Sequence, residues 1–170
     1  IQPLLNIATS LKIKTFVIID QNTNSSVEFT SIQLLIQKIG SYIENLVLSI
    51  SDNELRRKLF DTIIDICEKI KFLHLGHVDI MNISQLSKMI SSFNNYLKYL
   101  TLEIDYYGDN ADRLKISSMI LKDLIKLLPH SLYLLLMINP DDLQIAFENL
   151  KQIELKILLI RNRRELNEYT

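Results

Sequence analysis

The sequence has no tryptophan, one cysteine and only three glycines among its 170 residues. Glycine is scarce compared with an average usage of about 7%. Folds that need several glycines to cradle phosphate groups are therefore disfavoured. The single cysteine, Cys67, cannot form an intramolecular disulfide. This indicates a reducing compartment, and we expect an intracellular protein of the cytoplasm or the nucleus.

The net charge is also small, and the hydrophobic runs are short. The formal net charge is −1, so the chain lacks the basic footprint of a nucleic-acid-binding protein, and we expect no nucleic acid partner. The longest apolar run, Leu132 to Ile138, is far shorter than the roughly 20 residues of a transmembrane helix, and we expect no membrane span. The start, Ile1-Gln2-Pro3, has neither an initiator Met nor a basic segment, which indicates a piece of a longer chain rather than a signal peptide.

Aliphatic side chains are abundant, because apolar residues make up 48% of the chain. A strand-like phrase of the form apolar-x-x-apolar-x-apolar recurs along the sequence, which predicts a repeat architecture. Its fourth-position residues are spaced by 30, 27, 27, 35 and 23 residues: Phe16, Leu46, Leu73, Leu100, Leu135 and Leu158.

Helical patterns lie between these phrases. Ser51 and Glu54 form a capping box, which predicts a helix with an apolar stripe from Leu55 through Ile70. Further helices are predicted over 32–39, ended by Gly40, over 86–93, capped near Ser84, over 116–127, and from Asn139 onward.

Two architectures fit this alternation of strands and helices. A doubly wound parallel sheet has helices on both faces, so its strands are apolar throughout. A leucine-rich-repeat solenoid has an open concave sheet, so its strands alternate. The alternation in Leu100-Thr101-Leu102-Glu103-Ile104 favours the solenoid, whereas Leu132 to Ile138 does not alternate at all.

Several segments resemble known repeats. Ile70-Lys71-Phe72-Leu73-His74-Leu75, Leu97-Lys98-Tyr99-Leu100-Thr101-Leu102 and the segment from Leu155 to Asn162 resemble leucine-rich-repeat strands. With Asn139-Pro140-Asp141-Asp142-Leu143 and the ending Leu158 to Arg163, they are similar to the F-box/leucine-rich-repeat-like families of filamentous fungi. The usual Asn or Cys at the ninth repeat position is absent, and the F-box itself is not in this chain.

The resemblance implies one α/β domain over 1–170, an irregular, horseshoe-like leucine-rich-repeat solenoid of about six repeats. Its parallel strands would line the concave side and its helices the convex side, and it would be truncated at both ends. The implied function is the substrate-recognition region of an F-box adaptor of a cullin-RING ubiquitin ligase, with the ligase's protein substrate as partner. Two alternatives stay open: an interaction module unrelated to ubiquitin, such as a sensor or structural adaptor, and a doubly wound α/β enzyme.

The concave face and an acidic, aromatic loop are the predicted partner-binding surface. Leu134, Leu136, Ile157 and Leu159 would form an exposed apolar patch there. The alternative is a one-residue register slip in the fifth strand, which would reverse the direction of every side chain. The candidate residues are Phe72, His74, Tyr99, Thr101, Glu103, Tyr106, Tyr107, Leu134, Leu136, Ile157, Leu159 and Arg161.

We expect no catalytic, metal or cofactor site. His74 and His77 with Asp79 lack the converging ligands of a metal centre. Cys67 lies in a helix pattern as a small apolar residue. The basic cluster Arg56-Arg57-Lys58 alternates with acidic neighbours and is predicted to be a solvated helix face.

Overall fold

A computed structural model of the chain describes residues 12–20, 29–79, 82–104, 124, 127–129, 132–138 and 157–162. Within these segments six strands form one sheet, in which each strand pairs in parallel with the next one along the chain. This confirms the predicted α/β class with a parallel sheet. The strands are β1 (Thr15–Asp20), β2 (Asn45–Ile50), β3 (Phe72–Val78), β4 (Tyr99–Ile104), β5 (Tyr133–Ile138) and β6 (Ile157–Asn162).

Between the first four strands, the described residues form three helices. They are α1 (Phe29–Ile39), α2 (Asn53–Ile66) and α3 (Ile83–Phe93), and a single 3-10 turn, Gly40–Tyr42, follows α1. Helix α1 packs against α2, and α2 packs against α3. The apolar stripe of each helix is buried or partly buried against the core, because residues at helical spacing share one face. The stripe of α3, for example, consists of Leu86, Met89, Ile90 and Phe93, all of which are buried.

The sheet has two unlike faces. Along β2 the burial alternates residue by residue, with Leu46, Leu48 and Ile50 buried. The corresponding leucines of β3 and β4 share one core cluster with the buried residues of the three helices, which therefore lie side by side on this covered face. The opposite face, here called the open face, carries Val17, Val47, Phe72, His74, Tyr99, Thr101, Glu103, Tyr133 and Leu135. No helix of the described segments covers it.

The order of the described strands contains no reversal. A doubly wound sheet binds its ligand where the strand order reverses, and the sequential order of β1 to β6 contains no such point. The doubly wound alternative therefore does not match these strands.

The ends of the helices differ in detail from those predicted. The N-cap of α2 is Asp52 rather than Ser51, since the Asp52 carboxylate accepts hydrogen bonds from the backbone N–H groups of Glu54 and Leu55 at 2.8 and 3.0 Å. Ile70 lies beyond the end of α2 but is still buried. The helices predicted over 116–127 and after Asn139 lie outside the described residues, except that Leu124 is helical and Leu127 lies in a turn.

Strand β3 contains a bulge at Gly76 and His77. The pairing of β3 with β4 shifts between Leu75 and Val78, and His77 adopts a left-handed backbone conformation with φ 56°. The extra residue returns Val78 to the covered face, where it is 2% exposed. His77 therefore lies inside this strand rather than in the loop that follows it.

Candidate functional site

Three aromatic rings from neighbouring strands form a ladder on the open face. Phe72, Tyr99 and Tyr133 occupy matching positions at the starts of β3, β4 and β5. The rings of Tyr99 and Tyr133 are stacked, with centroids 4.8 Å apart and planes 23° apart. Phe72 lies on the other side of Tyr99 at 6.5 Å. Tyr99 is the central ring and is 46% exposed, so the ladder presents aromatic surface to solvent.

An apolar depression of about 220 Å³ adjoins the ladder. The three rings, Thr101 and Leu135 line it, together with Leu100 and Leu134. Small-molecule sites usually measure about 300–1,000 Å³ and carry a few converging polar groups. This depression is smaller, and its rings and aliphatic side chains offer few polar groups, so it fits a single apolar side chain better than a cofactor.

Charged residues precede the strands and form what we call the amino-terminal rim: Lys14, Glu44, Lys71 and Lys98. Glu44 pairs with Lys71 at 2.8 Å and with Lys14 at 3.1 Å. The hydrogen bonds from Lys71 and Lys14 lower the pKa of Glu44 below its ordinary value. Lys98, which directly precedes Tyr99, is exposed and has no ionic partner among the described residues. The rim therefore carries an excess of positive charge.

The centre of the open face is more enclosed than predicted. Thr101 lies in the open-face row as predicted but is only 6% exposed, which corrects the expectation that a partner could contact it freely. Its neighbours His74 and Leu135, each half-buried, lie on either side of it. Burial lowers the pKa of His74, and the nearby Glu103 carboxylate partly offsets that effect by favouring the charged imidazolium.

Of the two phases left open for β5, the placement of Leu134 agrees with the one-residue slip and not with the exposed patch. Leu134 pairs in register with Leu100 on the covered face and is 2% exposed, so it is a core residue rather than part of an exposed patch. The backbone of Leu136 takes the register position of Leu102, in the covered-face row, rather than the concave-face position predicted for it. Leu135 occupies the open-face row instead. The sequence alone did not determine this phase, because the segment is apolar at odd and even positions alike. Its hydrophobic periodicity therefore does not indicate which side chains face the core.

The remaining candidates divide into two groups. Ile157, Leu159 and Arg161 of β6 take the register positions of the open-face row, opposite Tyr133, Leu135 and Met137. Their backbone placement thus agrees with the prediction. Tyr106 and Tyr107 lie outside the described residues.

Sequence reasoning missed Arg56 of α2. It is 2% exposed, so its assignment to a solvated helix face is wrong. Its guanidinium donates to the backbone carbonyls of Ile50 and His77, to the Asn53 side chain, and to the Asp79 carboxylate at 3.0 Å. Arg56 therefore fastens the first turn of α2 to the end of β2 and to the bulge of β3.

The signal for this burial was in the helical spacing. Arg56 precedes the buried Leu59, Phe60 and Ile63 by three, four and seven residues, which places it on the apolar face of α2. The basic composition of the cluster obscured that position.

Few described groups offer reactive chemistry. Among the segments that the structure describes, no three His, Cys, Asp or Glu side chains are grouped as metal ligands. Burial raises the pKa of the Cys67 thiol to about 12. The thiolate is the nucleophilic form of cysteine, so Cys67 remains protonated and unreactive near neutral pH.

No protein-family model, curated protein or solved structure matches the chain at a significant level. Within the described part of the chain, no helix has the length and apolar character needed to cross a membrane. The functional argument therefore rests on the geometry of the open face.

Proposed function

We propose that this chain is a non-catalytic protein-binding scaffold that binds its partner through the open face. The single observation that carries the proposal is the aromatic ladder, with a half-exposed Tyr99 at its centre beside an apolar depression. Exposed apolar patches on folded proteins mark interaction sites. Tyrosine is also enriched among the residues that dominate binding energies, because it buries a large area on binding.

The finer proposal is that the scaffold is a leucine-rich-repeat array. Its support is the sequential strand order, the alternating burial of the strands and the regular leucine and isoleucine positions. The resemblance of the repeat phrases extends the proposal to the substrate-recognition region of an F-box adaptor of a ubiquitin ligase. In that role the partner is the ligase substrate, the protein works in the cytoplasm or nucleus, and other subunits carry out catalysis.

Photo-crosslinking tests the binding surface. A photoreactive phenylalanine analogue would replace Tyr99 in one protein and Tyr96 in a matched control, because both tyrosines are 46% exposed but Tyr96 lies outside the open face. We expect the Tyr99 position to capture a protein that the Tyr96 position does not capture.

The captured protein would then be purified and titrated against variants. We expect Tyr99→Ala to weaken binding roughly tenfold or more and Tyr96→Ala to leave it unchanged. Equal affinity of the two variants would refute binding through the open face. Ubiquitylation of the captured protein that depends on this chain would support the adaptor role, and its absence would favour the interaction module unrelated to ubiquitin.

A further inference from the structure

We infer that the open face takes an acidic segment of its protein partner, with one apolar side chain in the depression and carboxylates beside the amino-terminal rim. This inference rests on the proposed function and specifies the chemistry of the partner. It joins the aromatic ladder to the amino-terminal edge of the sheet, where Lys71 and Lys98 directly precede Phe72 and Tyr99 in the chain.

The depression sets the size of the anchor. Its volume of about 220 Å³ suits one side chain, and the ladder rings Phe72, Tyr99 and Tyr133 form its walls. Stacked and tilted rings favour contact with an aromatic or aliphatic group, since aromatic pairs gain energy beyond the area that they bury. The anchor is therefore a single phenylalanine, leucine or similar residue of the partner.

The rim sets the sign of the flanking charge. Three lysines face one glutamate there, and the side chains of Lys14 and Lys71 are still 66% and 43% exposed although both pair with Glu44. Lys98 is exposed, has no such pairing in the described segments, and directly precedes Tyr99 in the chain. A carboxylate beside the anchor would offset this excess of positive charge.

The far end of the face sets the orientation. Glu103 lies in the same strand as Tyr99, four residues further along, which is about 13 Å in an extended strand. An acidic group of the partner is attracted at the rim and repelled by Glu103. Complementary charge of this kind chooses the partner and fixes its orientation more than it adds to affinity.

The test is to select, from a displayed library of short random peptides, those segments that bind to the full chain. We expect the enriched segments to carry an apolar residue within a few positions of Asp or Glu. Tyr99→Ala should weaken the selected peptides roughly tenfold, and Tyr96→Ala should not. Lys98→Glu should weaken them roughly fivefold at low salt and less at high salt, since rim charges are screened, whereas Lys88→Glu, an exposed control on α3, should have no effect.

Each other outcome overturns the inference. Neutral or basic segments that bind through Tyr99 would overturn it and leave the proposed function standing. Segments that bind without any dependence on Tyr99, or no enrichment, would overturn both. Binding of a single-stranded oligothymidylate that Tyr99→Ala abolishes would assign the ladder to nucleic acid instead. Circular dichroism would establish that each variant is folded. If Tyr99→Ala does not fold, Lys98→Glu still tests the inference, because Lys98 is exposed.

Discussion

Replacing Arg56 by alanine should strongly destabilise the protein. The change removes the donors to the carbonyl groups of Ile50 and His77 and leaves the Asp79 carboxylate without its ionic partner. Removing one member of a buried ion pair costs about 3–5 kcal/mol. The Asp79 side chain is 14% exposed and keeps some contact with water, so we expect a value near the lower end, about 3 kcal/mol.

Urea unfolding measures this loss directly. For a slope of about 1–3 kcal/mol per molar urea, the midpoint of Arg56→Ala should fall by roughly 1–3 M. The neighbouring Arg57 is exposed and has no described contact to the bulge, so Arg57→Ala should shift the stability by less than about 0.5 kcal/mol. Arg56→Lys should lie between the two, because lysine keeps the charge but not the planar fork of donors. Equal midpoints for Arg56→Ala and Arg57→Ala would refute the buried network.

Three further predictions concern the sheet. Leu134→Ala should lower the free energy of unfolding by about 2–5 kcal/mol, and Leu135→Ala by less than about 1.5 kcal/mol, because only the first side chain lies in the core. Gly76→Ala should destabilise the protein, since an added Cβ would lie 2.5 Å from the Ser49 hydroxyl oxygen. Ser49→Gly should recover part of the lost stability in the double variant, because the Ser49 Cα, 3.2 Å from the added Cβ, remains. Because burial lowers the pKa of His74 in the folded state, the unfolded chain binds this proton more readily. Stability should therefore fall as the pH drops below about 6.5, and His74→Gln should reduce that fall.

Chemical denaturation at fixed and varied pH provides all three measurements. A larger cost for Leu135→Ala than for Leu134→Ala would restore the originally predicted phase of β5. Failure of Ser49→Gly to improve Gly76→Ala would contradict the close approach of the two strands. A pH dependence that is the same with and without the imidazole would contradict the burial of His74.

The sequence contained enough information for the alternating strands and the helices that cover them. In β2, β3 and β4 the predicted core residues Leu46, Leu73 and Leu100 are all buried, because polar or aromatic neighbours fix which face each side chain takes. In β5 both phases are apolar, so the face was decided by hydrogen bonding of Tyr133 to the backbone of Lys98, a long-range pairing that local periodicity cannot encode.

The polar interior was harder to foresee. The buried Arg56 is compensated by hydrogen bonds to the carbonyl of His77 and the carboxylate of Asp79. These partners lie 21 and 23 residues away in the chain, so local sequence did not reveal them. His77, whose carbonyl accepts from Arg56, also has a left-handed backbone conformation. The aromatic ladder was only partly foreseen: Phe72 and Tyr99 were candidates, whereas Tyr133 joined them once the register of β5 was known.

Hydroxyl-radical footprinting of the complex with the captured partner tests the central claim most directly. In the free protein Tyr42, Tyr96 and Tyr99 are exposed by 44%, 46% and 46%, so all three should be oxidised at similar rates. In the complex we predict that Tyr99 is protected while Tyr42 and Tyr96 keep their reactivity. Undiminished oxidation of Tyr99, with protection of Tyr42 or Tyr96 instead, would contradict binding through the open face.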